Sequence, residues 1–551
     1  MLALLLVLAF AWGLDAERLD AQSDPFAEPS GNNDATRDLG SLEPPDGQWL
    51  KGDDGREYFV TTLPKGAPRT EVRDDGRLRY KHWFLFDLVR EDDDFYYVKV
   101  FKPAEIARTR AEVEAERQQR LDEIAATYVA EGGVVDKVRF TRFSEGLPES
   151  GRWRNGFDLK DINGDGHLDI LHGPLRKGSP IPRIVLGDSA GNWTLWRDVK
   201  YPRAPYEYGD AAGGDFDGDG LMDLAMGWHL RGLYALRQTE PGVFAAAAQG
   251  LDLEIPGAGG SAEGFSSRTI EVGDWNGDGL EDIIAVGEGP RPVGQKGNNQ
   301  VGAIESTAYG LVVYLSQGDG TWQRLDEGEK REGTFGDDVE IGDFNNDGKL
   351  DAVISSHTLG RKDVLYLGKG DEGWDLQELP TLRPRAYIQG VAVGDFNRDG
   401  LTDIATTYVS WEMKVWRSGM DVHLASEDGE WTRRAIVVKD GRANQWALTA
   451  GDLDENGTLD LVGLTERGEY VIYLGDGAGG FDVEQSPELR GPLGCRGYQV
   501  KIANIDGKPG AEFVAAFAGD KEIRPLPMQT GPECDSGGAI AAWSTEPVVK
   551  P

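Results

Sequence analysis

An acidic nine-residue loop recurs along this chain and limits what it can fold into. Its clearest copy is Asp215-Phe-Asp-Gly-Asp-Gly-Leu-Met-Asp223. Copies begin at Asp161, Asp215, Asp274, Asp343, Asp395 and Asp452, with a degenerate one at Asn504, so the steps are 54, 59, 69, 52, 57 and 52 residues. Each unit reads as four short strands, and four strands per period of this length describe a propeller blade.

Every full copy carries oxygen side chains at positions 1, 3, 5 and 9, an apolar residue at 2 and glycine at 6. The sets are Asp161, Asn163, Asp165 and Asp169; Asp215, Asp217, Asp219 and Asp223; Asp274, Asn276, Asp278 and Asp282. They continue with Asp343, Asn345, Asp347 and Asp351; Asp395, Asn397, Asp399 and Asp403; Asp452, Asp454, Asn456 and Asp460. The position-7 carbonyls of His167, Leu221, Leu280, Lys349, Leu401 and Thr458 can add a further oxygen. All-oxygen surroundings suit a hard cation, and calcium tolerates their flexible geometry better than magnesium. The expectation is up to six calcium ions, one per intact loop. An EF-hand opens similarly but needs a glutamate at position 12 and flanking helices, whereas strand-like runs such as Ile283-Ile-Ala-Val286 follow here. The alternative is a set of Asp/Gly turns that bind no metal.

The chain has 551 residues, 39% hydrophobic and 28% charged, enough for a sizeable core in more than one domain. Its formal charge of −37 argues against a nucleic-acid or anionic-membrane binder, and much of the acidity sits in the loops. Met1 to Ala11 is an apolar run placed where a signal peptide belongs, giving residues 1–16 as a leader and a secreted, periplasmic or cell-surface location; a buried N-terminal helix is the alternative. No later stretch is long enough for a transmembrane helix.

Residues 17–46 read as an acidic disordered linker. Residues 47–133 read as a small α+β module: strands at Gln48–Leu50, Glu57–Thr62, Tyr80–Val89 and Phe95–Phe101, then one long helix over Glu105–Val129 ended by Gly132-Gly133. The helix stripe is expected to pack on the sheet, or else to form a dimer seam. Residues 134–551 form the propeller. Its last unit lacks a fourth strand, and Val138-Arg-Phe-Thr-Arg-Phe143 is expected to close the ring by pairing there, giving seven blades. Cys495 and Cys534, the chain's two cysteines, both fall in that unit; a disulfide is expected, with buried thiols as the alternative.

Gly342-Asp-Phe-Asn-Asn-Asp-Gly-Lys-Leu-Asp351 and its sisters resemble FG-GAP/VCBS repeats, the blades of integrin α-subunit-like propellers. The resemblance covers roughly Val134–Trp543 and implies structural calcium in the loop between the first and second strands of each blade. The seventh copy departs from it, with Asn504, Asp506, Lys508 and Glu512 placing a lysine at position 5.

In such propellers the loops after the second and fourth strands make the face opposite the metal loops. Here those loops hold Arg203, His229, Arg231, Arg268, His357, Arg361, Arg383, Arg385, Arg417 and Trp446, with Arg154, Arg176, Tyr208 and Arg490 among others. This composition suggests a cationic, aromatic mouth for an anionic ligand, either acidic polysaccharide or an acidic protein segment. The plainer alternative is a surface of arginines paired with nearby acids. The insertion Gly287–Gly310 reads as a loop over that mouth, or as a tolerated insertion. The function expected is a binding or adhesion scaffold. A lyase or hydrolase is the second reading, because His172, His229 and His357 all follow second strands.

Overall fold

The computed structural model describes residues 47–51, 57–65, 70–72, 77–80, 84–91, 95–100, 132–135 and 137–548, except 177–179, 205, 230, 254–266, 288–309, 326–335, 357–363, 381–385, 413–414, 441–444, 485–488 and 520–533. The chain divides into two compact units. One contains a six-stranded antiparallel sheet made from Gly47–Lys51, Glu57–Pro64, Thr70–Val72, Arg77–Tyr80, Phe84–Glu91 and Phe95–Val100. The run Tyr80–Val89, read from the sequence as one strand, is two, with Tyr80 paired to Phe84. The leader, the linker and the helix expected over Glu105–Val129 lie outside the described residues. Among the described residues no helix is long and apolar enough to cross a membrane.

The second unit is the propeller. Blade 1 is Phe157–Lys160, Asp169–His172, Arg183–Gly187 and Trp193–Leu195, each strand antiparallel to the next. Blades 2 to 6 repeat this meander over 211–246, 269–325, 339–378, 386–440 and 445–484. The first strands of successive blades lie side by side in a closed ring around the axis, with Arg496–Ala503 of blade 7 beside Phe157–Lys160 of blade 1.

Closure occurs where the sequence pattern placed it. Blade 7 takes three strands from the C-terminal end, Arg496–Ala503, Glu512–Ala518 and Gly538–Pro547. Its fourth is Val138–Arg142, paired antiparallel from Trp543↔Arg142 to Pro547↔Val138. A fifth strand, Gly132–Val135, adds to the outer edge, so the glycine pair read as the end of a helix begins a strand of this sheet. Pairing the chain's two ends within one sheet hides the edges that an open ring would expose. Cys495 and Cys534 form a disulfide in the same blade. With 39 residues between them, loop-closure entropy gives about 4 kcal/mol. A Cys495→Ser/Cys534→Ser protein is expected to lose about that much in denaturant unfolding.

Seven apolar cores fill the seven spaces between neighbouring blades. The position-2 residue of each acidic loop is a wedge in one of them: Ile162, Phe216, Trp275, Phe344, Phe396, Leu453 and Ile505 are all buried. This apolar anchor explains the loop's one hydrophobic position, because the loop cannot lift away without opening a gap between blades. Trp275, 1% exposed, packs edge-on to Trp374 of the next blade at 6.4 Å. Trp275→Ala is expected to cost roughly 3–5 kcal/mol, read from the unfolding midpoint.

Candidate functional site

The acidic loops join the first and second strands of their blades, and their side chains are held by the loops' own backbone. In blade 3, Asp274 Oδ1 accepts the N–H groups of Gly277 at 2.8 Å and Asp278 at 3.0 Å, while its Oδ2 accepts Gly279 N–H at 2.9 Å. Asp278 accepts the Leu280 N–H at 2.9 Å. This curl needs the left-handed backbone at Gly277 and Gly279, with φ of 75° and 93°. The bonds from positions 5 and 6 to position 1 recur in the other five copies, and that from position 4 in blades 1 and 2, where Asp215 accepts the Gly218 and Gly220 N–H groups.

Position 9 is different. Asp169, Asp223, Asp282, Asp351, Asp403 and Asp460 are 0% exposed. One oxygen of each accepts the N–H of position 2, as in Asp282 to Trp275 at 2.9 Å. The other accepts an N–H at or beside the end of the third strand, as in Asp282 to Ser316 at 2.8 Å. One carboxylate thus fixes the wedge and the blade together. Burial, with the neighbouring carboxylates adding to it, lifts Asp223 and Asp282 to about 7 and Asp460 to about 6.

In two loops three carboxylates converge, each offering an oxygen within 4.8 Å of the others: Asp215, Asp217 and Asp223, and Asp452, Asp454 and Asp460. The other four full copies have Asn at position 3. In the Asp452 loop, Oδ1 of Asp454 is buried and accepts no hydrogen bond. A buried, anionic acceptor without a donor is costly unless a cation meets it, so the donor set fits a hard cation there. In the Asp215 loop, Arg237 instead lies on Asp217, NH1 to Oδ2 at 3.1 Å.

The FG-GAP-like repeat profile matches residues 161–226, 274–354 and 343–406. The propeller is built from FG-GAP-like repeats. No curated protein matched the chain. Two solved structures are similar to it: BBS1N in complex with ARL6DN soaked with mercury, at 10% identity and TM-score 0.39 over 72% of this chain and 94% of that one, and the same complex soaked with lead, at 9% identity and TM-score 0.39 over 76% and 98%. A likeness at that score carries no argument here.

The seventh loop departs from the acidic set. Lys508 Nζ lies 2.6 Å from Asp506 Oδ2, and Glu512 Oε2 accepts the Ile505 and Asp506 N–H groups. A built-in ammonium serves the loop that lacks the acidic set.

In a four-stranded meander the loops after strands 2 and 4 fall opposite the acidic loops. Several residues expected at a mouth gather there. The guanidinium of Arg154 lies 5.5 Å from the ring centres of both Tyr208 and Tyr498, and that of Arg176 lies 5.4 Å from Tyr208. His229 is against Tyr208 at 4.8 Å, and Trp446 against Tyr498 at 5.7 Å. Arg268 pairs with Asp337 at 2.8 Å and Arg231 lies 3.9 Å from Glu207, as the plainer reading of arginines paired with acids supposes for those two. Arg203 is exposed and Arg417 half-buried. His357, Arg361, Arg383 and Arg385 lie outside the described residues, as does the insertion apart from its ends, where Gly287 N–H donates to Gly310 O at 2.9 Å. His172 is a core residue: it is 0% exposed, packs edge-on to Trp153 at 5.1 Å, and burial pulls it down to about 4.

One group of functional side chains went unremarked in the sequence. Asp158, Glu271, Glu340 and Lys501 each stand three residues ahead of a loop's first position, on the first strands that ring the axis. Lys501 Nζ lies 3.1 Å from Glu271 Oε1 and 3.5 Å from Asp158 Oδ1. Two further acids, Asp210 and Asp338, stand five residues ahead of theirs. The signal was present as a charge at a fixed offset from the repeat.

Proposed function

We propose that this chain is an exported, calcium-dependent β-propeller that acts as a binding or adhesion scaffold, with an anionic ligand taken on the face opposite the calcium loops. The observation that carries the calcium reading is the Asp452, Asp454 and Asp460 triad with its donorless buried oxygen. Oxygen-only donors and a flexible loop favour calcium over softer ions. The remaining four copies would use the Asn side chain at position 3 and the position-7 carbonyl in the same way. The disulfide is consistent with an oxidising compartment.

The ligand reading is supported by the Arg154, Arg176, Tyr208 and Tyr498 cluster. Arginines held against tyrosine rings lose little freedom when they meet a carboxylate or sulfate. Acidic polysaccharide is therefore the ligand class tested first. In calcium, the protein is expected to be retarded in gels containing acidic but not neutral polysaccharide, without shortening the polymer. Arg154→Ala should weaken that retardation about tenfold, the value of one charge-assisted contact. Unchanged mobility in every acidic gel would remove the polysaccharide and leave an acidic protein segment to be tried; clearing of the polymer would favour a lyase.

A further inference from the structure

The inner ring of strands is stitched blade to blade by side chains. Asp158 of blade 1 accepts the Gly213 N–H of blade 2 at 3.1 Å, and Asp210 of blade 2 accepts the Ile270 N–H of blade 3 at 3.0 Å. Asp338, at the start of blade 4, accepts the Val391 N–H of blade 5 at 2.8 Å; Gln389 of blade 5 accepts the Gln445 N–H of blade 6 at 3.1 Å; Thr449 of blade 6 accepts the Ile502 N–H of blade 7 at 3.3 Å. The step from blade 7 back to blade 1 is made by Lys501, which reaches Asp158 and also spans to Glu271 of blade 3.

The charges around Lys501 do not balance. Blade 1 contributes Asp158 and Lys160, blade 2 Asp210, blade 3 Glu271, and blade 4 Asp338 and Glu340. Blades 5 and 6 place Ala392 and Thr449 at the register of Lys501, and neither carries a charge. Five carboxylates therefore face two ammonium groups; Asp158, Asp210 and Asp338 are buried while Glu271, Glu340 and both lysines are half-buried, and surplus like charge gathered in such a place is expensive. We propose that Lys501 and these carboxylates form a proton-operated clasp on the propeller axis, which holds the seventh blade to the first and loosens as the pH rises.

The direction follows from the surplus. Asp158 is the partner that stays ionised: burial would raise it, but Lys501 and Lys160 together with the Gly213 and Leu159 N–H groups hold it below its ordinary value. Burial, with Glu271 beside it, pushes Glu340 up to about 8, and burial pushes Asp210 up to about 7. A carboxyl raised in the folded state keeps its proton where the unfolded chain has lost it. Its stabilising effect is complete below the unfolded value and is lost as the pH rises through the folded one. The clasp accordingly weakens from about pH 4 up to about pH 8, the span between the unfolded and the folded values.

The test is the thermal midpoint of the full chain across pH 5.5 to 9, in saturating calcium and again in chelator, for wild type, Glu340→Gln, Asp210→Asn and Lys501→Met. Wild type is expected to fall by roughly 3 °C or more over this range, and Glu340→Gln or Asp210→Asn to fall less, because each removes a proton-releasing group and keeps the shape. Lys501→Met should fall more steeply, since the carboxylates then lack their central cation. Parallel slopes for wild type and both amide variants would overturn the clasp. The amide variants act at separate positions, so a failure of one to fold leaves the other to decide. Because the comparison of slopes is made with and without calcium, it stands or falls separately from the calcium reading.

Discussion

Asp282→Ala is expected to destabilise the propeller by about 2–6 kcal/mol even when no metal is present. The reason is the double role of position 9. Its two oxygens accept the Trp275 and Ser316 N–H groups, both inside the structure. Alanine leaves two buried donors without acceptors, at about 1–3 kcal/mol each. It also frees the wedge residue Trp275 from its tether. The matched control is Asp278→Ala at position 5 of the same loop, which is exposed. In chelator that change should cost less than about 1 kcal/mol, because water can replace what it loses. Denaturant unfolding of both variants in chelator checks the contrast. Equal losses would mean that position 9 has no role beyond the loop.

Removing calcium is the second large effect expected. A ligand that binds the folded state alone at a hundred times its Kd stabilises by about 2.7 kcal/mol per site. The Asp215 and Asp452 loops together would then supply about 5 kcal/mol, a drop of roughly 6 °C in the midpoint on chelation for a propeller of this size. Blade 7 should respond least, since Lys508 already neutralises Asp506 and the disulfide and the paired N-terminal strand hold that blade. Hydrogen exchange read blade by blade should therefore show protection lost in blades 2 and 6 before blade 7.

The architecture was legible because the repeat states its own geometry. Glycine at position 6 and an apolar residue at position 2 survive as a turn and a wedge, and the last two strands of a unit as a hairpin, in which Gly187↔Trp193, Ser316↔Trp322, Gly368↔Trp374 and Gly475↔Phe481 are register partners. The fourth strand of the last blade was equally readable, since Val138–Arg142 alternates like the outer strands of the other units. The burial of position 9 was not legible. A ligand pattern cannot reveal that one of its acids also spans to the third strand, because that contact depends on a residue 15 to 34 positions away. His172 looked like its two sister histidines in sequence, yet it comes only three residues after Asp169 and so remains inside the second strand, where it is buried. The axial acids escaped because charge on an inner strand looks like solvent exposure unless the ring of strands is already in view.

The most direct measurement is the number of calcium ions held by the chelator-stripped full chain in equilibrium dialysis, for wild type and for Asp454→Ala. Several ions per wild-type chain, with one fewer in Asp454→Ala and a folded propeller in both, is the result expected of metal-bearing blades. A wild-type chain that holds no calcium at millimolar concentration, with an unfolding midpoint indifferent to chelator, would contradict it and leave the acidic loops as hydrogen-bonded turns alone.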